Sequence, residues 1–541
     1  MPTHPAVAAR LALLTPDQRA AATSPPGPIL CVAPAGSGKT TTLVARIAWL
    51  IDGGTAPSTI AAITFNKRAA EELTQRLDRA IAPLGLQPGA VRVRTFHALG
   101  REILRDVGVS VEPLIDRMEL FAELWPDPPP GAYARLDTAF SRLKLDLAVD
   151  VEQIRADTEA GPTARAFVEY ETALADRGGL DFDDLVRQAL DQLAGNDRLL
   201  ATWRGRCAQL LVDEVQDVDR SQLRLALLLA APANRVFLVG DDDQSIYGWR
   251  LADVRRVLAI DASLPGLRRM DLEVNHRCPA PVVERALALI GHNRERFAKT
   301  IRPRPNAGGT LILASDTADE PERTIRLVRA LPGDDLTRAV LARTNRELRP
   351  AIVAALALGE PFRAPSVDLL VDDDRLDPML DWVERATDPR RPLLQRLGAL
   401  RRSIAIRDEA GRALAGAILA WAPPFTDLAA LRSAIDRTRQ RLAELRQDDA
   451  RLSLATAHST KGAEFDHVAI VGMDAGRFPS GRAVAESSEP DRAMEEERRL
   501  AYVAWTRARR SLTLSYDPSS PSPFLLEAFT ADELGVVDLI A

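Results

Sequence analysis

Cysteine, lysine and aromatic residues are scarce in this chain, and each shortage removes a class of protein. The three cysteines, Cys31, Cys207 and Cys278, stand far apart with no CxxC pair. That spacing argues against a disulfide framework, a zinc site and an iron–sulfur cluster, and leaves each as a small buried hydrophobe. No apolar run approaches the ~20 residues needed to span a bilayer, the longest being residues 225–233. The N-terminal stretch MPTHPAVAARLALLTPDQ offers no apolar segment followed by a small-residue cleavage site. A cytoplasmic chain with no membrane partner is expected. The net charge of −6 gives no global basic signature, so any nucleic-acid contact must come from a local groove.

What is present is ample. At roughly 150 residues per domain, 541 residues leave room for three or four domains, and 46% hydrophobic with 27% charged residues fits a folded globular chain. Only five of the 70 Lys and Arg residues are lysine: Lys39, Lys67, Lys144, Lys299 and Lys461. Where nearly every cation is arginine, a surviving lysine marks a place that needs a compact ammonium and not a planar guanidinium. Lys39 and Lys461 draw attention first.

Short apolar, β-branched runs at 29–33, 60–65 and 91–96, each followed by helical spacing, predict a parallel sheet flanked by helices. From about 100 to 200 the pattern is mainly helical, broken by a PDPPPG loop at 126–131, before strands return at 210–213 and 236–240. An insertion within an α/β lobe is the economical reading. A second set of strands, at 310–314, 339–343, 452–457, 468–472 and 512–516, predicts a second lobe of the same kind. Another helical stretch lies between about 366 and 451. Within it, residues 384–451 hold 14 Arg against 9 Asp plus Glu, a local excess of +5 that reads as a solvated arginine-rich face or a contact surface. No repeat period is visible.

The residues 33–40, APAGSGKT, follow an apolar strand and open a helix, the context in which a phosphate-binding loop works. Gly36 and Gly38 let backbone N–H groups of the loop, whose other residues are Ala33, Pro34, Ala35 and Ser37, close around phosphate oxygens; Lys39 reaches the β- and γ-phosphates, Thr40 offers a hydroxyl to Mg²⁺, and Thr41 follows. Ala33 stands where the strict pattern has Gly. At 210–217 an apolar strand runs into Asp213 and Glu214. Adjacent carboxylates at a strand end suit a metal ligand, Asp213, and a base for the attacking water, Glu214.

VDEVQD at 212–217 together with VGDDDQSIYGWR at 239–250 resembles the UvrD/Rep family of superfamily one DNA helicases. Further motifs then follow in order: LTPDQ at 14–18, TFNKRAAEEL at 64–73, RTFHALG at 94–100, LDFDDL at 180–185, LEVNHR at 272–277, LATAHSTKGAEFDHV at 454–468 and EEERRLAYVAWTRA at 495–508. The resemblance implies two RecA-like lobes, each with a mainly helical insertion: 1–100 with 186–271 as the first lobe, 101–185 as its insertion, 272–365 with 452–541 as the second lobe, and 366–451 as a reduced second insertion.

The resemblance further implies ATP and Mg²⁺ as cofactors, with Gln18 reading adenine, His276 stacking on it, Glu464 meeting the ribose, Arg277 and Arg507 acting as arginine fingers, and Gln244 sensing the γ-phosphate. Phe65, Asn66, His97, Tyr247, Trp249, Arg250 and His458 become the expected DNA track. For Trp249 the alternatives are a base-stacking face and a core tryptophan. For Lys461 they are a point charge near the site and a capping lysine. Pro34 and Leu251 stand where relatives carry Gly. The implied activity is 3′-to-5′ translocation on single-stranded DNA with duplex unwinding at single/double-strand junctions, in repair or recombination, with a protein partner or a second copy supporting unwinding. The alternative is a translocase or remodelling subunit without autonomous unwinding. The chain is expected to stop without room for a nuclease or added nucleic-acid-binding domain.

Overall fold

The computed structural model describes residues 3–535 except 127, 130, 148–150, 158, 334, 406 and 407. Two positions of the PDPPPG loop therefore lie outside the described residues. Six parallel strands form the first sheet: β1 (Ile29–Val32), β2 (Ile60–Thr64), β3 (Arg92–Thr95), β4 (Gln209–Asp213), β5 (Val236–Gly240) and β6 (Arg268–Asp271), in the order β3-β2-β4-β5-β1-β6. Successive side chains of a strand face opposite ways, and here both faces are covered. Leu30, Val32, Ile63, Leu210, Val212 and Leu238 enter one core, while Ile29, Cys31, Ile60, Leu211, Phe237 and Val239 enter the other. That two-sided burial explains why these strands read as continuous apolar runs and not as alternating ones.

A short ladder pairs β7 (Val274–Asn275) with β8 (Arg302–Pro303). The second sheet joins β9 (Thr310–Ser315), β10 (Arg338–Ala342), β11 (Phe362–Arg363), β12 (Leu452–Thr456), β13 (Phe465–Ile470) and β14 (Ala508–Tyr516), again parallel, in the order β11-β12-β10-β13-β14-β9. The chain thus repeats one architecture twice, as a mixed α/β protein with parallel sheets flanked by helices.

Each sheet is interrupted by helices at one point. Between β3 and β4, helices Arg117–Leu124, Ala132–Leu145 and Pro162–Asp176 gather Phe121, Phe140, Phe167 and Tyr170 into a separate aromatic core. The returning segment LDFDDL ties this body down through its acids. Asp181 accepts from Arg117 at 2.6 Å, Lys144 at 2.9 Å and the Tyr170 hydroxyl at 2.8 Å, and Asp184 accepts from Lys144 at 2.9 Å.

Between β11 and β12 lie four helices, Leu376–Ala386, Leu393–Ser403, Glu409–Trp421 and Leu428–Leu445. Their buried Leu380, Leu397, Ile418 and Leu431 share one continuous core with Val340, Ile352 and Leu454 of the second sheet and its covering helix. These helices are a layer on the sheet, not a body with its own core. The expected arginine face is paired in part, while Arg390, Arg401, Arg402 and Arg437 are exposed. Arg432 pairs with Asp381 and Glu384, Arg439 with Asp377, and Arg446 with Asp372. The acidic partners at 372, 377 and 381 fall just outside the 384–451 window, and over 366–451 the count is 15 Arg against 15 Asp plus Glu. The local excess disappears. Among the described residues no helix is long and apolar enough to cross a membrane.

Candidate active site

A cleft of about 1000 Å³ opens between the two sheets. Its floor on the first sheet is the loop between β1 and helix Lys39–Asp52, whose Leu43, Val44, Ile47 and Leu50 are buried and hold the helix against the sheet. Gly36 and Gly38 have φ of 70° and 85°, a region that side chains with a Cβ rarely enter. A Cβ on Gly36 would lie 2.7 Å from Asn275 Oδ1, and one on Gly38 would lie 2.5 Å from Gln18 Nε2. Both glycines are therefore dictated by conformation and by close approach.

Beside this loop, Lys39 Nζ lies 3.4 Å from Glu214 Oε2, and Gln216 donates to the same oxygen at 2.6 Å. Asp213 Oδ1 accepts the Glu214 amide at 3.0 Å. Glu214 holds φ of 53°, a sparsely populated conformation of the kind that collects at functional sites. Burial, with the neighbouring Glu214 charge, pushes Asp213 up to about 7. Burial also opposes the Glu214 charge, but Lys39, Lys461 and the Gln216 amide outweigh it and hold this carboxyl below its ordinary value. The pair is thus split into one carboxyl that lacks a cation and one that is ready to accept a proton.

The opposite wall comes from the second sheet. Arg277 donates to Glu464 at 2.7 Å and to the Thr506 carbonyl at 3.1 Å, and Glu464 is also paired with Arg509. Arg507 is buried and donates to the carbonyls of Val503 and Ala463 at 2.8 and 3.1 Å and to Gln244 Oε1 at 3.2 Å. Burial and the nearby Arg277 hold its guanidinium down at about 9, so the cleft favours an added anion. Lys461 crosses the cleft to pair with buried Asp217 and to donate to the Gln244 carbonyl at 2.5 Å. Its backbone caps the short helix His458–Thr460, while its side chain ties the second wall to the first. Its scarcity in the sequence was the signal. The role of Asp217 as its partner had none.

The residues fit a nucleoside triphosphate with Mg²⁺. Ser37 Oγ in the phosphate loop is buried without a hydrogen-bond partner, Asp213 lacks a compensating cation, Arg507 lacks an anion, and the Thr40 hydroxyl with the Asp213 carboxylate is a hard oxygen set suited to Mg²⁺.

Pro34 to Thr41, Asp213, Glu214, Gln244, His276, Arg277, Glu464 and Arg507 all line this cleft, together with Phe65, Asn66 and Tyr247. Gln18 does not. Its amide donates to the Ser37 carbonyl at 2.8 Å and accepts from the Thr15 amide at 3.1 Å, so both edges expected to read a base are engaged by backbone beneath the loop. Asn66 caps a helix by accepting from the Ala69 amide at 2.9 Å.

From the cleft a run of rings leads outward. Phe65 stacks on Tyr247 at 4.9 Å, Tyr247 meets Trp249 edge-on at 6.1 Å, and Arg250 lies 4.7 Å over the Trp249 ring. Trp249 is 58% exposed, which removes the core-tryptophan alternative. Leu251, where a Gly is usual, takes φ of 66°, so this turn holds a conformation that costs a leucine ~1–2 kcal/mol. His97 lies apart from these rings, stacked on exposed Phe182 at 3.8 Å. Burial lowers both His97 and His458 to about 4, so both are neutral near pH 7.

Comparison with known proteins adds to this geometry. Residues 14–265 match the UvrD/REP helicase N-terminal domain, and residues 425–519 match the UvrD-like helicase C-terminal domain. The chain is 29% identical to DNA helicase II of Salmonella typhimurium and of Escherichia coli, over 93% of this chain and 84% of each relative. It is 27% identical to the ATP-dependent DNA helicase PcrA of Staphylococcus aureus, over 93% of this chain and 83% of that one.

Proposed function

This chain belongs to the UvrD/REP family of ATP-dependent DNA helicases, and from that membership we propose that it moves 3′-to-5′ along single-stranded DNA by hydrolysing ATP with Mg²⁺ in the cleft between its two sheets. The observation that carries the proposal is the division of the site. Lys39, Thr40, Asp213, Glu214 and Gln244 come from the first sheet's side, while Arg277, Lys461, Glu464 and Arg507 come from the second. Chemistry then requires both walls together, and turnover becomes coupled to their closure.

Mg²⁺ supplies charge neutralisation between the phosphates when bound. Glu214 takes the proton of the attacking water, and its depressed proton affinity keeps it ionised for that task. Arg277 exchanges Glu464, and Arg507 its carbonyl partners, for phosphoryl oxygens, which makes them arginine fingers. Gln244 touches Arg507 directly, and its backbone continues within three residues to Tyr247 and on to Trp249 and Arg250, the proposed single-strand track. A ring face at Trp249 contributes ~1–3 kcal/mol per stacked base. Placement in DNA repair or recombination is part of the same proposal.

A second reading, translocation without autonomous unwinding, is favoured by the helical layer at 376–445. Two of its arginines, Arg432 and Arg439, are engaged in ion pairs within the layer. The 619-position alignment with DNA helicase II exceeds the 541 residues of this chain, so the relative carries residues that this chain lacks. Separating base pairs costs about 1.4 kcal/mol per step in stacking, a demand that movement along a single strand does not make. Strand displacement on 3′-tailed, 5′-tailed and blunt duplexes tests both readings. Displacement of the 3′-tailed substrate alone supports the polarity. Translocation without displacement supports the second reading, and preference for a 5′ tail overturns the direction.

A further inference from the structure

Three consecutive aspartates, Asp241, Asp242 and Asp243, follow β5, and all three are buried. A single short segment, Arg296 to Lys299, satisfies all of them. Lys299 Nζ lies 2.8, 2.5 and 2.9 Å from carboxylate oxygens of Asp241, Asp242 and Asp243 in turn. Arg296 forks onto Asp243 at 2.9 and 2.7 Å, and the Phe297 amide donates to Asp242 at 2.8 Å. The segment follows helix Ala280–Ile290, whose Val282, Val283, Ala286 and Leu289 pack in the core of the second sheet. Two cations and one backbone amide from this segment therefore meet three adjacent acids, and Lys299 alone touches all three.

Asp241 is the branch point. Its Oδ2 accepts from Gln244 Nε2 at 2.6 Å, and Gln244 in turn accepts from Arg507. Its backbone amide donates to Gln216 Oε1 at 3.0 Å, and Gln216 donates to Glu214. Base and finger thus both refer back to Asp241, whose other carboxylate oxygen is held by Lys299. We propose that Lys299 is a positioning residue for ATP hydrolysis, fixing Asp241 so that the Gln244 amide is aimed at the γ-phosphate position. Arginine does not substitute for it. The ammonium is compact enough to meet three carboxylates within 3 Å, whereas a planar fork satisfies one carboxylate bidentately, as Arg296 does with Asp243. This inference rests on the helicase reading of the cleft.

The test is a double-mutant cycle in the full chain, with steady-state ATPase measured at saturating single-stranded DNA and at a temperature where circular dichroism shows every variant folded. Lys299→Met is expected to lower kcat about tenfold with KM for ATP within about twofold, the pattern of a lost transition-state interaction. On a Gln244→Ala background it should cost less than about twofold further, because a residue acting through Gln244 has nothing left to position. Lys299→Gln, which keeps a donor, takes its place if the methionine variant does not fold. Unchanged kcat in the single variant, or effects that multiply in the double, overturns the proposal. A wild-type enzyme that DNA fails to stimulate would sink the helicase reading instead.

Discussion

Replacing Trp249 with alanine separates DNA contact from folding more cleanly than any other change in the track. The ring is 58% exposed, and it meets Tyr247 edge-on and carries the Arg250 guanidinium over its face. Such contacts contribute ~0.5–1.5 kcal/mol each, against ~3–5 kcal/mol for truncating a core tryptophan. Trp249→Ala should therefore cost on the order of 1 kcal/mol of stability. If a DNA base stacks on the ring, the variant also loses ~1–3 kcal/mol of binding, or about 5- to 150-fold in Kd. Stacking releases no counterions, so the slope of log Kd against log salt should stay at its wild-type value. Arg250→Ala, by contrast, should reduce that slope by about 0.7 if its guanidinium meets one phosphate of the single strand. Fluorescence anisotropy with a labelled single-stranded oligonucleotide across a salt series, beside thermal unfolding, reads all of these quantities. Wild-type affinity in Trp249→Ala, or a stability loss of core size, would refute the argument.

Lys461→Met leaves Asp217 buried without its cation, and removing one partner of such a pair costs ~3–5 kcal/mol while the other stays charged. Asp217 already sits near 7, raised above its unfolded value, so its protonation supports folding at low pH and that support is lost as pH rises. The thermal deficit of the variant should accordingly be larger at pH 8.5 than at pH 6, and an equal deficit at both would discount the pair. His458 behaves with the opposite sign: its folded pKa near 4 lies below the unfolded 6.5, so stability falls as pH drops through that window, by on the order of 1–2 kcal/mol between pH 7 and 5. His458→Gln should flatten that part of the acid profile, and an unchanged profile would remove the histidine from it. In the helical layer, charge-removing changes at Arg432 and Arg439 should lower the thermal midpoint and leave the salt dependence of DNA binding intact, while a shallower salt slope would restore the arginines as DNA contacts.

Most of the first sheet was legible because its strands are short, apolar and buried on both faces, as at Ile60–Thr64 and Val236–Gly240. The edge strand Arg268–Asp271 was not, since its half-exposed RRMD carries no apolar signature. For the same reason β14 begins at Ala508, four residues before the expected start, with exposed Arg509 and Arg510 hiding it. Most residues that line the cleft could be read because they belong to motifs whose spacing has a chemical purpose, whereas Arg304, Arg509 and Arg510 line it from outside any motif. Contacts across the cleft could not, because nothing in a sequence says which buried acid a distant cation will meet. Lysine scarcity came nearest to saying so. Besides Lys39 and Lys461, Lys144 and Lys299 also end in acid clusters, and only Lys67 is a solvent-exposed lysine. Gln18 shows the converse, a motif residue whose amide is held by the Thr15 amide of its own motif and by the Ser37 carbonyl of the phosphate loop.

On the proposed reading, this cleft hydrolyses ATP under the control of single-stranded DNA. Phosphate release by the wild-type chain and by Glu214→Gln, each with Mg²⁺ and with or without an unstructured single-stranded oligonucleotide, tests it most directly. Strong stimulation of the wild type by DNA is expected, with a fall of roughly 10² to 10⁴ in the stimulated rate of Glu214→Gln and ATP still bound. Turnover indifferent to DNA, or a Glu214→Gln variant that keeps the wild-type rate, would contradict this reading.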